Sequence, residues 1–171
     1  MTSLSECVAY LDDVLATSQV PDYERALNGL QLANQGAVTR IAAAVDFSYR
    51  SVQQAVQVGA DLLLVHHGMF WGGLRSIVAS RYDRLCLAIT NDLAVYASHL
   101  PLDLHARLGN NAQLAHYLDL NPQGQFGRFQ SIKIGVSGTA DLATDEIFAR
   151  VKAFADPLGT HVVCTPHVPE R

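Results

Sequence analysis

Cysteine is scarce in this sequence of 171 residues. Its three copies, Cys7, Cys86 and Cys164, stand far apart with no CxxC spacing, which excludes a disulfide framework and a thiolate zinc site. All three are expected to be buried thiols. Long apolar runs are missing too: stretches such as Leu62 to Val65 fall far short of the roughly 20 residues a membrane-spanning helix needs. No basic cluster occurs, and 12 Lys plus Arg against 16 Asp plus Glu leave a net charge of -4, which disfavours nucleic acid as a direct partner. The first residues, MTSLSECVAYLDD, carry no basic stretch ahead of an apolar one, so no secretory signal and a cytoplasmic location are expected, with no membrane partner. GxGxxG after the first strand, GxxxxGK[ST] and GxSxG are all absent, and with them the residues that distinguish dinucleotide, phosphate-loop and serine-hydrolase sites.

What is present is globular. Hydrophobic residues make up 49% and charged residues 16%, enough for one domain with its own core, or one domain and part of a second. Ser3 followed by Glu6 is a capping box, after which Leu4, Val8, Leu11 and Leu15 share one helical face. Asn28-Gly29-Leu30-Gln31 reads as a turn between apolar residues, with no role legible in it. Ile41 to Phe47 then predicts a buried strand, Ser48 an N-cap, Tyr49 to Val58 a helix ended by Gly59, and Asp61 to His66 a second buried strand. This is a βαβ unit, and its continuously apolar strands suit a parallel sheet covered on both faces. A helix over Ser80 to Asn91 and a strand over Ala94 to His99 repeat the pattern, and a short helix follows from Asn110 to Leu118. The fold class is therefore α/β, a layered α/β/α arrangement around a mostly parallel sheet with right-handed crossovers. The Pro- and Gly-bearing stretch from Asn121 to Gly127 reads as a linker, dividing a first lobe, 1–122, from the start of an incomplete second α/β lobe, 123–171. In that second part Ile132 to Val136 and His161 to Cys164 are predicted strands and Thr144 to Phe154 a helix.

His66-His67-Gly68 falls at the carboxyl end of a central parallel strand, where open α/β sheets place their ligand crevices. Neighbouring side chains on a strand point to opposite faces, so the two imidazoles suit one ion only if the chain turns at Gly68. With the chain bending there, each could meet a different ion, or one could bind while the other serves as acid, base or supporting donor; a pair of neighbouring metals is the sharper reading. The next strand runs into Ser98-His99-Leu100-Pro101-Leu102-Asp103, bringing a further imidazole and a carboxylate to the same end of the sheet. Imidazole with carboxylate suits zinc, iron or manganese better than calcium or magnesium. Asp103 is from spacing equally a turn cap, and Asp46 either caps the following helix or supports a ligand. His99 and His105 read as structural or supporting, and His116, His161 and His167 as exposed. Trp71 and Phe70 are a pocket wall or core material.

Asn28-Gly29-Leu30-Gln31, LLLVHHGMFWGG from Leu62 to Gly73, Ser98-His99-Leu100-Pro101-Leu102-Asp103 and Leu108-Gly109-Asn110-Asn111 together resemble, in order and spacing, the N-terminal motifs of the GTP cyclohydrolase I type 2 homologues, also called NGG-interacting-factor-three-like proteins. The resemblance covers Leu4 to Leu120 well and the remainder weakly. It implies two related α/β lobes facing a cleft, a dinuclear centre of divalent transition metal with His66, His67 and Asp103 as ligands, and assembly into a hexameric toroid. His99 matches a motif histidine that is not among the family's ligands. The family's further His and Glu, in an ITGE-like segment and a GH-type turn near its C-terminus, have no counterpart after Asp103, and His161, His167 and Glu170 do not stand in that motif. Three family ligands out of five are therefore expected here. The activity implied is that of a metal-dependent hydrolase acting on an unknown small molecule, with nucleotide- and pterin-like compounds the candidates, against the alternative of a non-catalytic metal-binding scaffold.

Overall fold

A computed structural model of the chain describes residues 1–163. The elements in order are β1 (Thr2–Ser3), α1 (Leu4–Val14), β2 (Gly29–Leu32), β3 (Ala37–Val38), β4 (Ile41–Asp46), α2 (Tyr49–Gln57), β5 (Leu62–His67), α3 (Ser80–Thr90), β6 (Ala94–Ala97), α4 (Leu100–Leu104), α5 (Asn110–Tyr117), β7 (Asn121–Phe129), β8 (Ile132–Thr139) and α6 (Thr144–Ala155), closed by a 3-10 turn over Asp156–Leu158. The capping box forms as its spacing predicts. The Ser3 hydroxyl accepts from the Glu6 amide at 3.2 Å, and the Glu6 carboxylate accepts from the Ser3 amide at 2.8 Å.

The principal sheet has the order β2-β6-β5-β4, with β4, β5 and β6 parallel and β2 antiparallel at one edge. Helices cover both of its faces. Phe47, Val52, Ala55, Leu63, Val65, Ala88 and Val95 form the core beneath α2 and α3. Leu4, Leu15, Val38, Leu62, Ala94 and Tyr96 form a second cluster beneath α1. The buried Tyr96 hydroxyl meets Asp12 at 2.6 Å and Thr17 at 2.9 Å, tying α1 to the sheet. Burial and the Asp12 carboxylate push that phenol well above its ordinary range, so it stays protonated.

Several expectations need correction. β4 is an edge strand rather than one buried on both faces: Ile41 is 49% and Val45 64% exposed on the side α1 does not reach. Asn28–Gln31 is not only a turn, because Gly29–Leu32 pairs with β6. The stretch expected as a linker is strand β7, whose main chain pairs with β8 around the Gln130–Ser131 turn. Pro122 and Gly124 flank an irregularity in the register, and Gly127 lies within the regular part of the ladder. His161 to Val163 carry no strand; Cys164, His167 and Glu170 lie outside the described residues. Cys7 and Cys86 are free thiols, half-buried rather than buried. Among the described residues no helix is long and apolar enough to cross a membrane.

The cap gives a pH-dependent prediction. Hydrogen bonds from the Ser3 hydroxyl, the Ser3 amide and the Thr2 hydroxyl hold the Glu6 carboxyl down to about 2. A carboxyl lowered on folding stabilises the native state above its unfolded pKa, and that contribution disappears as pH falls through the folded value. Hydrogen-exchange protection at the start of α1 is expected to decline between about pH 4.5 and about pH 2, and Glu6→Gln is expected to remove the dependence. Ser3→Ala is expected to cost about 1 kcal/mol in chemical denaturation.

Candidate metal centre

The parallel register explains why the chemistry collects at one end of the sheet. Asp46 is the register partner of His67 across β4 and β5, and Val65 pairs with Ala97 across β5 and β6, so the chain continues with His66 beside Ser98. His67 Nδ1 lies 2.8 Å from Asp46 Oδ1. His66 Nδ1 lies 3.1 Å from the Ser98 carbonyl oxygen. His99 Nδ1 lies 2.8 Å from Asp22 Oδ1. An ionised carboxylate or a carbonyl can only accept, so each Nδ1 donates its proton, and each imidazole, when neutral, keeps its lone pair on Nε2.

The three rings crowd together. The centroids of His66 and His67 are 4.6 Å apart, those of His66 and His99 4.7 Å, and those of His67 and His99 5.6 Å. One ligand atom from each lies within 4.8 Å of the others. Strand β5 ends at His67, and Gly68 allows the chain to turn there, so adjacent histidines do converge. A side chain at Gly68 would collide with the carboxamide of Gln31, which accepts from the Met69 amide at 2.6 Å and donates to the Leu27 carbonyl at 2.8 Å. Asn28 accepts from the His99 amide at 2.7 Å and donates to Asp22 at 2.8 Å. The segment that had no legible role therefore clamps two loops of the site.

Asp103 approaches from α4, its Oδ2 3.8 Å from His66 Nε2, while its Oδ1 accepts from Asn110 at 2.6 Å. A side chain at Gly109 would strike the carbonyls of Leu102, Asp103 and His105, so glycine allows α5 to begin this close to α4. His66, His67 and Asp103 thus share one locality, and His99, read from the sequence as structural or supporting, joins the cluster directly. Asp22 was not visible as a participant, since its carboxylate reaches the site from the loop before β2. Asp46 supports His67, and the cap of α2 is Ser48, whose hydroxyl accepts from the Ser51 amide at 3.1 Å. His105 is structural: its ring accepts from the amides of Arg107 and Leu108. His116 and His161 are exposed.

Burial lowers the pKa of His66, and the neighbouring His99 and His67 rings act in the same direction, against Asp103 and the Ser98 carbonyl. Burial pushes the Asp22 carboxyl up, but hydrogen bonds from Asn28, His99 and the Leu100 and Tyr23 amides outweigh it, and the net shift is downward. Trp71 walls the cluster, stacked on His67 at 4.8 Å and 25° and tilted against His99 at 4.3 Å. Tyr23 meets Trp71 edge-on at 6.2 Å and packs on Phe129 at 4.8 Å, linking this wall to the β7–β8 hairpin.

These residues fit a divalent transition metal. Three oriented imidazoles beside a carboxylate are the nitrogen-rich set that zinc, iron or manganese takes, and each ring already has the outer hydrogen bond that ligating histidines require.

Comparison with known proteins identifies the family. The family model for Duf34/NIF3 (NGG1p interacting factor 3) matches residues 2–169, and the chain belongs to that family. A protein of Deinococcus radiodurans called GTP cyclohydrolase 1 type 2 homolog is 47% identical over 134 residues, 78% of this chain and 50% of that protein. One of the same name from Archaeoglobus fulgidus is 39% identical over 94% of this chain and 63% of its own length. The crystal structure of TTHA1606 from Thermus thermophilus superposes with a TM-score of 0.81 at 30% identity, covering 91% of this chain and 62% of the other. The chain thus spans between half and two thirds of the length of these relatives.

The hydrogen-bond pattern predicts tautomers. Long-range 1H–15N NMR at neutral pH is expected to find His66, His67 and His99 protonated at Nδ1, with His66 titrating below the ordinary imidazole range. Rings protonated only at Nε2 would contradict the arrangement.

Proposed function

We propose that the chain carries the metal centre of a metal-dependent hydrolase, with His66, His67 and Asp103 as ligands and His99 beside them. The observation that carries this is the orientation of the three imidazoles: each Nδ1 is held by an acceptor, at 2.8 to 3.1 Å, and the rings meet at the carboxyl ends of β5 and β6. The resemblance implies two ions in the family, and the three ligands proposed here would hold two or fewer, with zinc, iron or manganese the fitting class. When bound, such an ion supplies Lewis acidity and a water acidic enough to act as a nucleophile near neutral pH.

The chain's own residues prepare for that chemistry. Asp46, the Ser98 carbonyl and Asp22 keep the Nδ1 protons in place and leave Nε2 to ligate. Burial favours neutral His66, so protons compete less at this ring than at an ordinary histidine. Trp71 covers one side of the rings and limits water there. The name that the relatives carry makes nucleotide- and pterin-like compounds the first substrates to screen. The compartment proposed is the cytoplasm.

A second reading, a metal-binding scaffold without turnover in a hexameric ring, draws on the apolar row left uncovered on β4, where Ile41 and Val45 are exposed. Covering such a row with a second copy would favour association.

Protein purified without chelator is expected to hold near-stoichiometric transition metal by elemental analysis. His67→Ala and His99→Ala are each expected to lose most of it, and with it hydrolysis of any substrate found in the screen. Metal that is retained without turnover, in a ring that light scattering finds dissociated by Val45→Lys, would favour the scaffold; no metal after incubation with zinc, manganese and iron would exclude both readings.

A further inference from the structure

A cleft of ≈ 540 Å³ opens beside His67 and Trp71, on the side of the sheet carrying α2 and α3. Its far wall holds three arginines, Arg75, Arg81 and Arg84. Backbone carbonyls orient them. Arg81 donates to the carbonyls of Met69 at 3.1 Å and Arg75 at 3.2 Å, Arg84 to that of Phe47 at 2.9 Å, and Arg75 to that of Gly72 at 3.1 Å. Arg84 also lies 5.3 Å over the Phe47 ring, and its buried Nε has no hydrogen-bond partner among the described residues.

None of the three guanidiniums forms an ion pair among the described residues, whereas Arg150, on α6, pairs with both Asp119 and Glu146. The carboxylate at the cleft, Asp46, is already engaged by His67. Burial and the nearby Arg81 charge both work against the charged form of Arg84, so Arg81 and Arg84 are brought together against their repulsion. Ser48 and Ser80, at the first turns of α2 and α3, line the same space, and their helix dipoles add positive potential. Three guanidinium forks face one space whose single lining carboxylate, Asp46, is hydrogen-bonded to His67 and pairs with none of them, which leaves an excess of positive charge; that matches a group with several negatively charged oxygens, and phosphate meets that description better than a single carboxylate.

We propose that Arg75, Arg81 and Arg84 form a binding site for the phosphate group of a small molecule, seated next to the histidine cluster. That this molecule is also the one hydrolysed rests on the metal-centre reading above; the phosphate site itself does not. The site would hold the charged end of the ligand while the remainder extends past Trp71 towards His66 and Asp103.

Inorganic pyrophosphate is the probe, titrated calorimetrically into the full chain after chelator treatment, at one fixed salt concentration. Saturable binding is expected, weakened about tenfold or more by Arg75→Gln and by Arg81→Gln. Arg128→Gln, which removes the same charge from the exposed hairpin, is expected to leave it unchanged. The Arg75 side chain bonds only within its own loop, so its replacement leaves the fold intact if Arg81→Gln does not. Metal per chain, measured on Arg75→Gln, is expected to equal that of the unaltered protein. Absence of saturable binding, an equal loss in Arg128→Gln, or binding of duplex DNA that pyrophosphate cannot displace would each overturn the phosphate site. Pyrophosphate binding without any metal would uphold the site and remove only its link to hydrolysis; metal without pyrophosphate would do the reverse.

Discussion

The site depends on three hydrogen bonds, each accepted from the Nδ1–H of an imidazole. A histidine on a strand end is free to rotate and to exchange tautomers, and three such rings in one locality repel one another when charged. Asp46, the Ser98 carbonyl and Asp22 remove both freedoms, since an acceptor without a proton of its own can meet only an N–H. Their positions follow from the sheet. Parallel pairing of β4, β5 and β6 puts the ends of all three strands side by side, and the Asp46–His67 register makes one of the bonds an ordinary cross-strand contact. A one-residue slip of β4 would turn Asp46 to the other face of the sheet and leave His67 unsupported.

The same logic accounts for the segments around the strands. Gln31 packs on Gly68 and holds the turn after β5, and Asn28 fixes both the His99 amide and the Asp22 carboxylate. Gly109 lets α5 start against the carbonyls of α4, from where Asn110 restrains Asp103. Four short motifs separated by many residues thus act on one small volume. The arginine cleft adjoins that volume on the α2 and α3 side, so a ligand bound by its charged end would lie along the rings rather than across the sheet.

Much of this was legible in the sequence where local chemistry dominates. Apolar strands, the Ser3–Glu6 box, the Ser48 cap and the glycine after α2 specify the βαβ units with boundaries close to those observed. The placement of His66-His67-Gly68 follows from the rule that ligands gather at the carboxyl ends of parallel strands, whereas spacing left Asp103 equally a turn cap. What escaped depends on contacts distant in the chain. The pairing of β2 with β6 and the role of Asp22 join residues about seventy positions apart, and no periodicity encodes them. His99 looked structural because one histidine carries no spacing signal, and only the adjacency of β5 and β6 brings it to the other two. The Asn121–Gly127 stretch misled for a physical reason: proline and glycine are common in linkers, but a hairpin with an irregular register also accommodates them. The exposure of β4 depends on how far α1 extends over the sheet, which composition does not reveal.

The most direct test is the zinc affinity of Asp46→Ala, measured by competition with a chromophoric chelator beside the unaltered protein. Asp46 does not belong to the cluster of three imidazoles; it acts on His67 through one 2.8 Å hydrogen bond, and its side chain is 65% exposed, so its loss leaves the core untouched. Affinity is expected to fall about 10- to 100-fold with unchanged circular dichroism. Equal affinity in the two proteins would contradict the claim that outer acceptors orient these rings to receive a metal.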